Sequence, residues 1–303
     1  MKKISPVWAI WISWFITAAN LVVAKYAVPY VTSALFLFLS CTGAVLCFLP
    51  HIRKVNGWKI LLDKKLFWQY IGLGTLGTAL PMTVFMIALN YTTPTNGAIL
   101  NQFEIVYSIL LSWLLLKEKP TFKQIGGSLL VVAGVTLLLW QAGLSLQLKG
   151  DLMIVGCLWM FQLSHIFAKK LPPQMDPGLI AAARALFALP ALFLLIIYVA
   201  CSQGLTFTPA PALWWTLAFS AIINYFLGNT FWYFAIRHMD LGKATAIILS
   251  YPVMTFILSA LLGLDKITVF KVLGLILAMG GAYVVTGIVK TQGDNTHEKA
   301  DTF

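Results

Sequence analysis

Charge is what this chain of 303 residues has least of. Asp, Glu, Lys and Arg together make 10% of it, against about 25% in an average soluble protein, while 60% is hydrophobic. No stretch outside the apolar runs is long enough for a soluble domain. Cysteine is also scarce: Cys41, Cys47, Cys157 and Cys201 show neither metal-ligand spacing nor a disulfide framework, so buried packing is expected of all four. Phosphate-cradling G-x-x-x-x-G-K-[ST], H-E-x-x-H and G-x-S-x-G are missing, which argues against ATP hydrolysis, zinc proteolysis and serine hydrolysis by this chain. Asp63, Glu118, Asp151, Asp176, Asp240 and Asp265 scatter over the ends of the apolar runs. No catalytic residue, metal ligand or cofactor is therefore expected.

What is there is apolar length. Ten runs of spanning size occur, at about 7–27, 31–50, 67–90, 96–116, 122–140, 151–169, 178–200, 212–235, 243–263 and 269–289, each near the twenty residues a bilayer requires. The expected fold is an all-α polytopic membrane protein of ten transmembrane helices, with a polar tail at 291–303. Lys2 and Lys3 precede the first run, but that run is of span length with a poor cleavage pattern, so it reads as a retained span rather than a signal peptide. The net charge of +11 does not signal nucleic acid, because the basic residues sit in short loops at span ends. Most of the 21 Lys and Arg, including Arg53, Lys54, Lys59, Lys64, Lys65, Lys117, Lys169 and Arg237, fall on the side of both termini, while Lys25, Lys149, Lys266 and Lys271 fall opposite. The positive-inside bias puts both termini in the cytoplasm, in a plasma (inner) membrane.

The chain repeats itself. Residues 88–139 slide onto 235–286 at a constant offset of 147, pairing Val106 with Val253, Ser112 with Ser259, Lys119 with Lys266, Gly127 with Gly274 and Gly134 with Gly281. Trp14 meets Trp159 and Lys25 meets Lys170 at an offset of 145. Residues 1–145 and 146–290 thus read as two five-helix repeats. Five is odd, so the second enters the membrane from the opposite face. Inverted repeats with a site at their interface near midplane are a plan used by carriers.

In the fourth run, Gly97, Asn101, Glu104, Ser108 and Ser112 share one helical face. Glu104 is the only carboxylate away from the ends of an apolar run. Facing it to lipid costs about 3 kcal/mol on insertion scales, so the stripe should face protein or a wet cavity. Intramembrane acids commonly mark a pathway or relay; the plainer reading is packing glue to a neighbouring helix.

The run 88–135 (ALNYTTPTNGAIL…FEIVYSILLSWLLLKEKPTFKQIGGSLLVVAGV) resembles the EamA repeat of the drug/metabolite transporter superfamily. The run 235–282 resembles it more loosely, and 149–171 resembles the opening of the second repeat. The family often carries Glu-Pro at the centre of the fourth span. Here Glu104 matches the acid and Ile105 replaces the proline, while in the second copy Tyr251 replaces the acid and Pro252 is kept. The arginine usual in the second span is missing from Phe36–Ser40. The resemblance implies a ten-helix carrier, commonly an exporter of amino acids, related metabolites or drugs, working by alternating access.

The repeats should present paired helices to a central cavity. Trp14, Thr17 and Asn20 lie three apart on the first span, and Trp159, Gln162 and His165 are their counterparts on the sixth. Each trio joins an aromatic body to hydrogen-bonding groups, a lining suited to an amphipathic solute; polar helix–helix contact would use the same residues. Asn224, Gly228 and Trp232 share a face of the eighth span, beside Tyr225 and Asn229. Gly74, Gly77 and Pro81 mark the third as closely packed and kinked, because proline frees a carbonyl. Arg184 is the only Lys or Arg away from the ends of a span. It either snorkels to the cytoplasmic interface, contacts an anionic group of the substrate, or pairs with Glu104. His165 is either a packing residue or a proton carrier.

The leading expectation is outward secondary transport of a small organic metabolite, with Glu104, Asn101 and Tyr251 among the binding or coupling residues. Protons are the candidate coupling ion, and the carrier is a monomer or homodimer. The alternatives are a lipid or isoprenoid flippase and, more remotely, a membrane-embedded enzyme.

Overall fold

The computed structural model describes residues 4–27, 29–88, 91–92, 100–139, 148–202, 204–262 and 268–298. Gly97, Lys2, Lys3, Asp265 and Lys266 lie outside them, as do the side chains of Lys25 and Lys271. The described chain is almost all helix; among its residues the one strand-like contact is an isolated bridge between Val31 and Phe207. In order come α1 (Pro6–Lys25), α2 (Ser33–Lys54), a short α3 (Gly57–Leu61), and α4 (Phe67–Gly74) and α5 (Leu80–Ala88) joined by a π-helical segment Thr75–Ala79. A 3₁₀ turn Asn101–Phe103 leads into α6 (Glu104–Leu116), followed by α7 (Phe122–Leu139), α8 (Leu148–Lys170) and α9 (Pro177–Ser202). The rest is α10 (Pro211–Ala218), a π-helical segment Phe219–Gly228, α11 (Asn229–His238), α12 (Leu241–Ile248), α13 (Tyr251–Leu261) and α14 (Val269–Glu298).

Local chemistry sets these ends. Ser5 Oγ accepts from the Trp8 amide at 3.3 Å and Pro6 opens α1, the usual economy of an N-terminus whose first amides lack partners. Asp176 does the same for α9, accepting from Gly178 N at 2.8 Å and Leu179 N at 3.3 Å. Lys117 ends α6 in the left-handed region, at φ 59°.

Among the described residues, five helices are long and apolar enough to cross a membrane: Pro6–Ala24, Ser33–Lys54, Leu148–Lys170, Pro177–Ser202 and Leu241–Leu258. Asn101–Leu116, Phe122–Leu137 and Val272–Val285 are shorter apolar helices. The third and eighth apolar runs are helical over 67–88 and 211–238 but interrupted by their π segments. The fourth and ninth differ from the unbroken helices expected: a 3₁₀ turn precedes Glu104, and a turn at Leu249–Ser250 precedes Tyr251. The tail also differs, since α14 continues through Glu298.

The two repeats interlock rather than sit side by side. The first helical stretch packs on the eighth and ninth, and the sixth packs on the third and fourth. The second packs on the seventh and eighth, and the seventh on the second and third. The fourth pairs with the ninth and the fifth with the tenth. Exchanging the repeats leaves this pattern of contacts unchanged. Each self-paired couple runs antiparallel. Phe38 meets Phe193 with tilted rings while His51 meets Asp176. Ser108 meets Thr245 while Glu118 meets Leu241. A side chain at Gly127 would meet Gly281 and Val285, and one at Gly134 would meet Gly274 and Ala278. The fifth and tenth stretches thus approach backbone to backbone, which only residues without a Cβ permit.

The outer surface is apolar, with Val106, Trp113, Leu129, Leu152, Leu194, Ile276 and Tyr283 exposed. Cys41 and Cys157 are buried, but Cys47 is half-buried and Cys201 exposed. The burial expected of all four cysteines therefore holds for two; Cys201 falls in the last turn of α9, where the neighbouring helices no longer cover it.

Candidate functional site

The polar stripe of the fourth stretch turns inward. Ser108 and Ser112 are buried and Asn101 and Glu104 half-buried, whereas Phe103, Val106, Leu110 and Trp113 on the other faces are exposed. Glu104 opens α6, and the repeat offset of 147 carries it onto Tyr251, which opens α13. Both fourth helices therefore break at the same register, one before the acid and one before the tyrosine.

Four side chains from three helices converge there. Ser108 Oγ donates to Thr245 Oγ1 at 2.8 Å, Thr245 Oγ1 donates to Gln162 Oε1 at 3.4 Å, and Gln162 Nε2 donates to Glu104 Oε1 at 2.5 Å. Every donor in this chain points toward the carboxylate, and successive bonds polarise one another. Glu104 and Ser108 belong to the first repeat, Gln162 and Thr245 to the second. Tyr251 lies within side-chain reach of Asn101 and within electrostatic reach of Glu104.

The flanking aromatics are anchored. Trp14 is 5% exposed; its Nε1 donates to Ser250 Oγ at 2.9 Å, at the ninth-stretch break, and it meets Trp11 edge-on. Its counterpart Trp159 is 37% exposed, so the two do not share an environment. Gln162 is fully buried and His165 nearly so. His165 Nδ1 accepts from Trp232 Nε1 at 3.3 Å, with ring centroids 5.0 Å apart. Thr17 and Asn224 are half-buried. Asn20 Oδ1 is buried without a hydrogen-bond partner, as are both side-chain polar atoms of Gln102, two residues before Glu104.

Arg184 bonds to the third and eighth stretches and lies within electrostatic reach of Glu104 without a direct ion pair between them. Nε donates to Thr78 Oγ1 at 3.0 Å, NH1 donates to Tyr233 OH at 3.3 Å, and NH2 donates to the Gly77 carbonyl. The reason is local. Pro81 has no N–H to give the carbonyl four residues back, that carbonyl belongs to Gly77, and the helix widens into its π segment around it. A nearby guanidinium with donors to spare takes the freed acceptor. At the offset of 147, Pro81 falls on Gly228, in the π segment of the eighth stretch. There Ser13 Oγ donates to the Gly228 carbonyl at 3.2 Å.

Sequence reading passed over Thr245, Ser250, Thr78 and Tyr233. Each lies within an apolar run and acquires significance only from its partner. A cavity of about 780 Å³ lies away from this network, at the helix ends, bordered by Lys169, Asp176, Arg237 and His238. Those groups are engaged: Arg237 donates to the carbonyls of Ala168, Leu171 and Pro172.

Comparison with known proteins decides the family. The sequence pattern of the EamA-like transporter family matches residues 4–140 and again 148–287. The chain belongs to this family. It is 25% identical over 293 residues to the uncharacterized transporter YyaM of Bacillus subtilis (strain 168), covering 94% of each chain. It is 27% identical over 290 residues to the uncharacterized transporter YetK of the same organism, covering 92% of this chain and 86% of that one. An uncharacterized transporter of Archaeoglobus fulgidus is 25% identical over 238 residues, 76% of this chain and 80% of its own. A solved crystal structure superposes with a TM-score of 0.80 at 16% identity, over 95% of this chain and 98% of that one, and so shares the fold. As an EamA-like transporter, the protein is a multi-pass membrane protein that carries a small-molecule substrate.

Proposed function

We propose that this EamA-like transporter is a secondary exporter of a small amphipathic organic metabolite, such as an amino acid or a related compound. In this reading ten spans form two inverted five-helix units, 1–145 and 146–290, with both termini cytoplasmic in the plasma membrane. The observation that carries it is the Glu104–Gln162 bond: the one intramembrane acid is held across the repeat interface, where the fourth helices of both repeats are broken. Half-helix ends at such an interface supply unpaired backbone groups for a solute. Asn101, Tyr251, Trp14 and Gln162 would line the site, with Glu104 binding a cationic group or carrying a proton. Thr17, Asn20, Trp159, Asn224 and Trp232 would shape its margins, and His165 and Arg184 would position helices.

Uptake of amino acids and amphipathic amines into everted vesicles, with and without a pH gradient, tests the proposal. Wild type should accumulate at least one class, and Glu104→Gln should lose the response to the gradient. Equal transport by wild type and Glu104→Gln at every pH would make Glu104 structural.

A further inference from the structure

We infer that Glu118 and Lys169 are the gate on the terminus side: an ion pair closing the repeats over the central site, broken whenever that site opens to this side. The inference rests on the alternating-access reading above, and it concerns residues that lie outside the central network.

Glu118 follows Lys117, whose left-handed conformation ends α6, and its amide donates to the Ser112 carbonyl at 3.3 Å. The carboxylate is thereby aimed back across the interface. Its Oε1 accepts from Lys169 Nζ and its Oε2 accepts from the Leu241 amide at 2.8 Å. Lys169 Nζ also donates to the Met239 carbonyl at 2.9 Å. One acid of the first repeat is thus clamped by two elements of the second, the end of α8 and the turn leading into α12. The side chains are 14% and 17% exposed, shielded enough for the pair to be felt and close enough to the surface for water to replace it.

The layering gives the pair its role. Helix α6 carries Glu104, and its C-terminal turn presents Glu118. Helix α8 carries Gln162 and, seven residues later, Lys169, about 10 Å further along the axis. The two helices are tied once at the central network and again one layer above it. A solute reaching Glu104 from this end must pass between them. A second pair joining the repeats here, His51 with Asp176 at 2.8 Å, is more open, at 35% and 41% exposure.

The test uses the full chain in proteoliposomes, with its four cysteines replaced by serine. Ser112→Cys is the reporter, because Ser112 is 3% exposed on the α6 face between Glu104 and Glu118. An impermeant maleimide applied from the Glu118 side should label it slowly while the pair is intact. Labelling should be about tenfold faster in Glu118→Gln, the shift expected when a shielded pair leaves a two-state equilibrium. Lys169→Gln breaks the pair from the other repeat and should do the same, so the test does not depend on either variant folding alone. Lys169→Arg should restore slow labelling. Unchanged rates in folded, monodisperse Glu118→Gln and Lys169→Gln would overturn the gate. No transported solute is needed, so pair-dependent labelling without transport of any compound in the uptake panel would uphold the gate and sink the substrate reading instead.

Discussion

At the scale of single residues, Arg184 shows how a half-buried charge is accommodated. Three acceptors on two other helical stretches receive its donors, so truncation strands a carbonyl and two hydroxyls together. Arg184→Met should lower stability by about 2 kcal/mol, the ordinary penalty for orphaned buried polar groups, read as a fall in the detergent unfolding midpoint. Arg184→Lys should recover only part of it, because an ammonium lacks the planar fork that reaches separate acceptors. Gln162 makes the complementary case. Gln162→Leu keeps the volume but removes the only donor that Glu104 receives from this chain of bonds, so Gln162→Leu and Glu104→Gln should be strongly non-additive in uptake rate. The acid itself was legible from its rarity and depth. Its partner was not, because Gln162 was one of several polar residues on the sixth span and nothing local distinguishes it.

At the scale of elements, the informative positions are those where a helix is not regular. Pro81 foretold a freed carbonyl in the third stretch, and the π segment Thr75–Ala79 with Arg184 on Gly77 is how the fold resolves it. Pro81→Ala gives that carbonyl back an amide. Arg184→Met should therefore cost less in the Pro81→Ala background, with a coupling of about 1 kcal/mol in a double-mutant cycle of unfolding midpoints. No proline marks the eighth-stretch π segment Phe219–Gly228, so it was invisible until the repeat register could be laid on the structure. The α7–α14 contact gives a sharper comparison between neighbours. A Cβ at Gly126 meets nothing within 4 Å, while one at Gly127 would press on Val285 and the Gly281 carbonyl. Gly126→Ala should be neutral or stabilising by up to about 1 kcal/mol through helix propensity. Gly127→Ala should lower the unfolding midpoint, because backbone must move to admit it.

At the scale of the whole molecule, the interlocking of repeats has a topological consequence. Antiparallel pairing of the second with the seventh stretch, the fourth with the ninth and the fifth with the tenth is what two units of opposite insertion would produce. Single cysteines at Trp58 and at the C-terminal tail should label from the same side of the membrane, and one at Thr206 from the other. Labelling of Trp58→Cys and Thr206→Cys from one side would overturn the inverted arrangement.

The sequence by itself determined the class of molecule, the repeat and the one acid that lies in the interior of an apolar run. These follow from composition, spacing and the cost of charge in hydrocarbon, which are properties of the chain and its solvent. Only the tertiary structure decided which polar groups meet: Gln162 for Glu104, Gly77 for Arg184, Lys169 for Glu118. The partners lie 58, 107 and 51 residues apart. Within an apolar run a polar side chain has many equivalent helical neighbours, and the packing of the helices selects one of them.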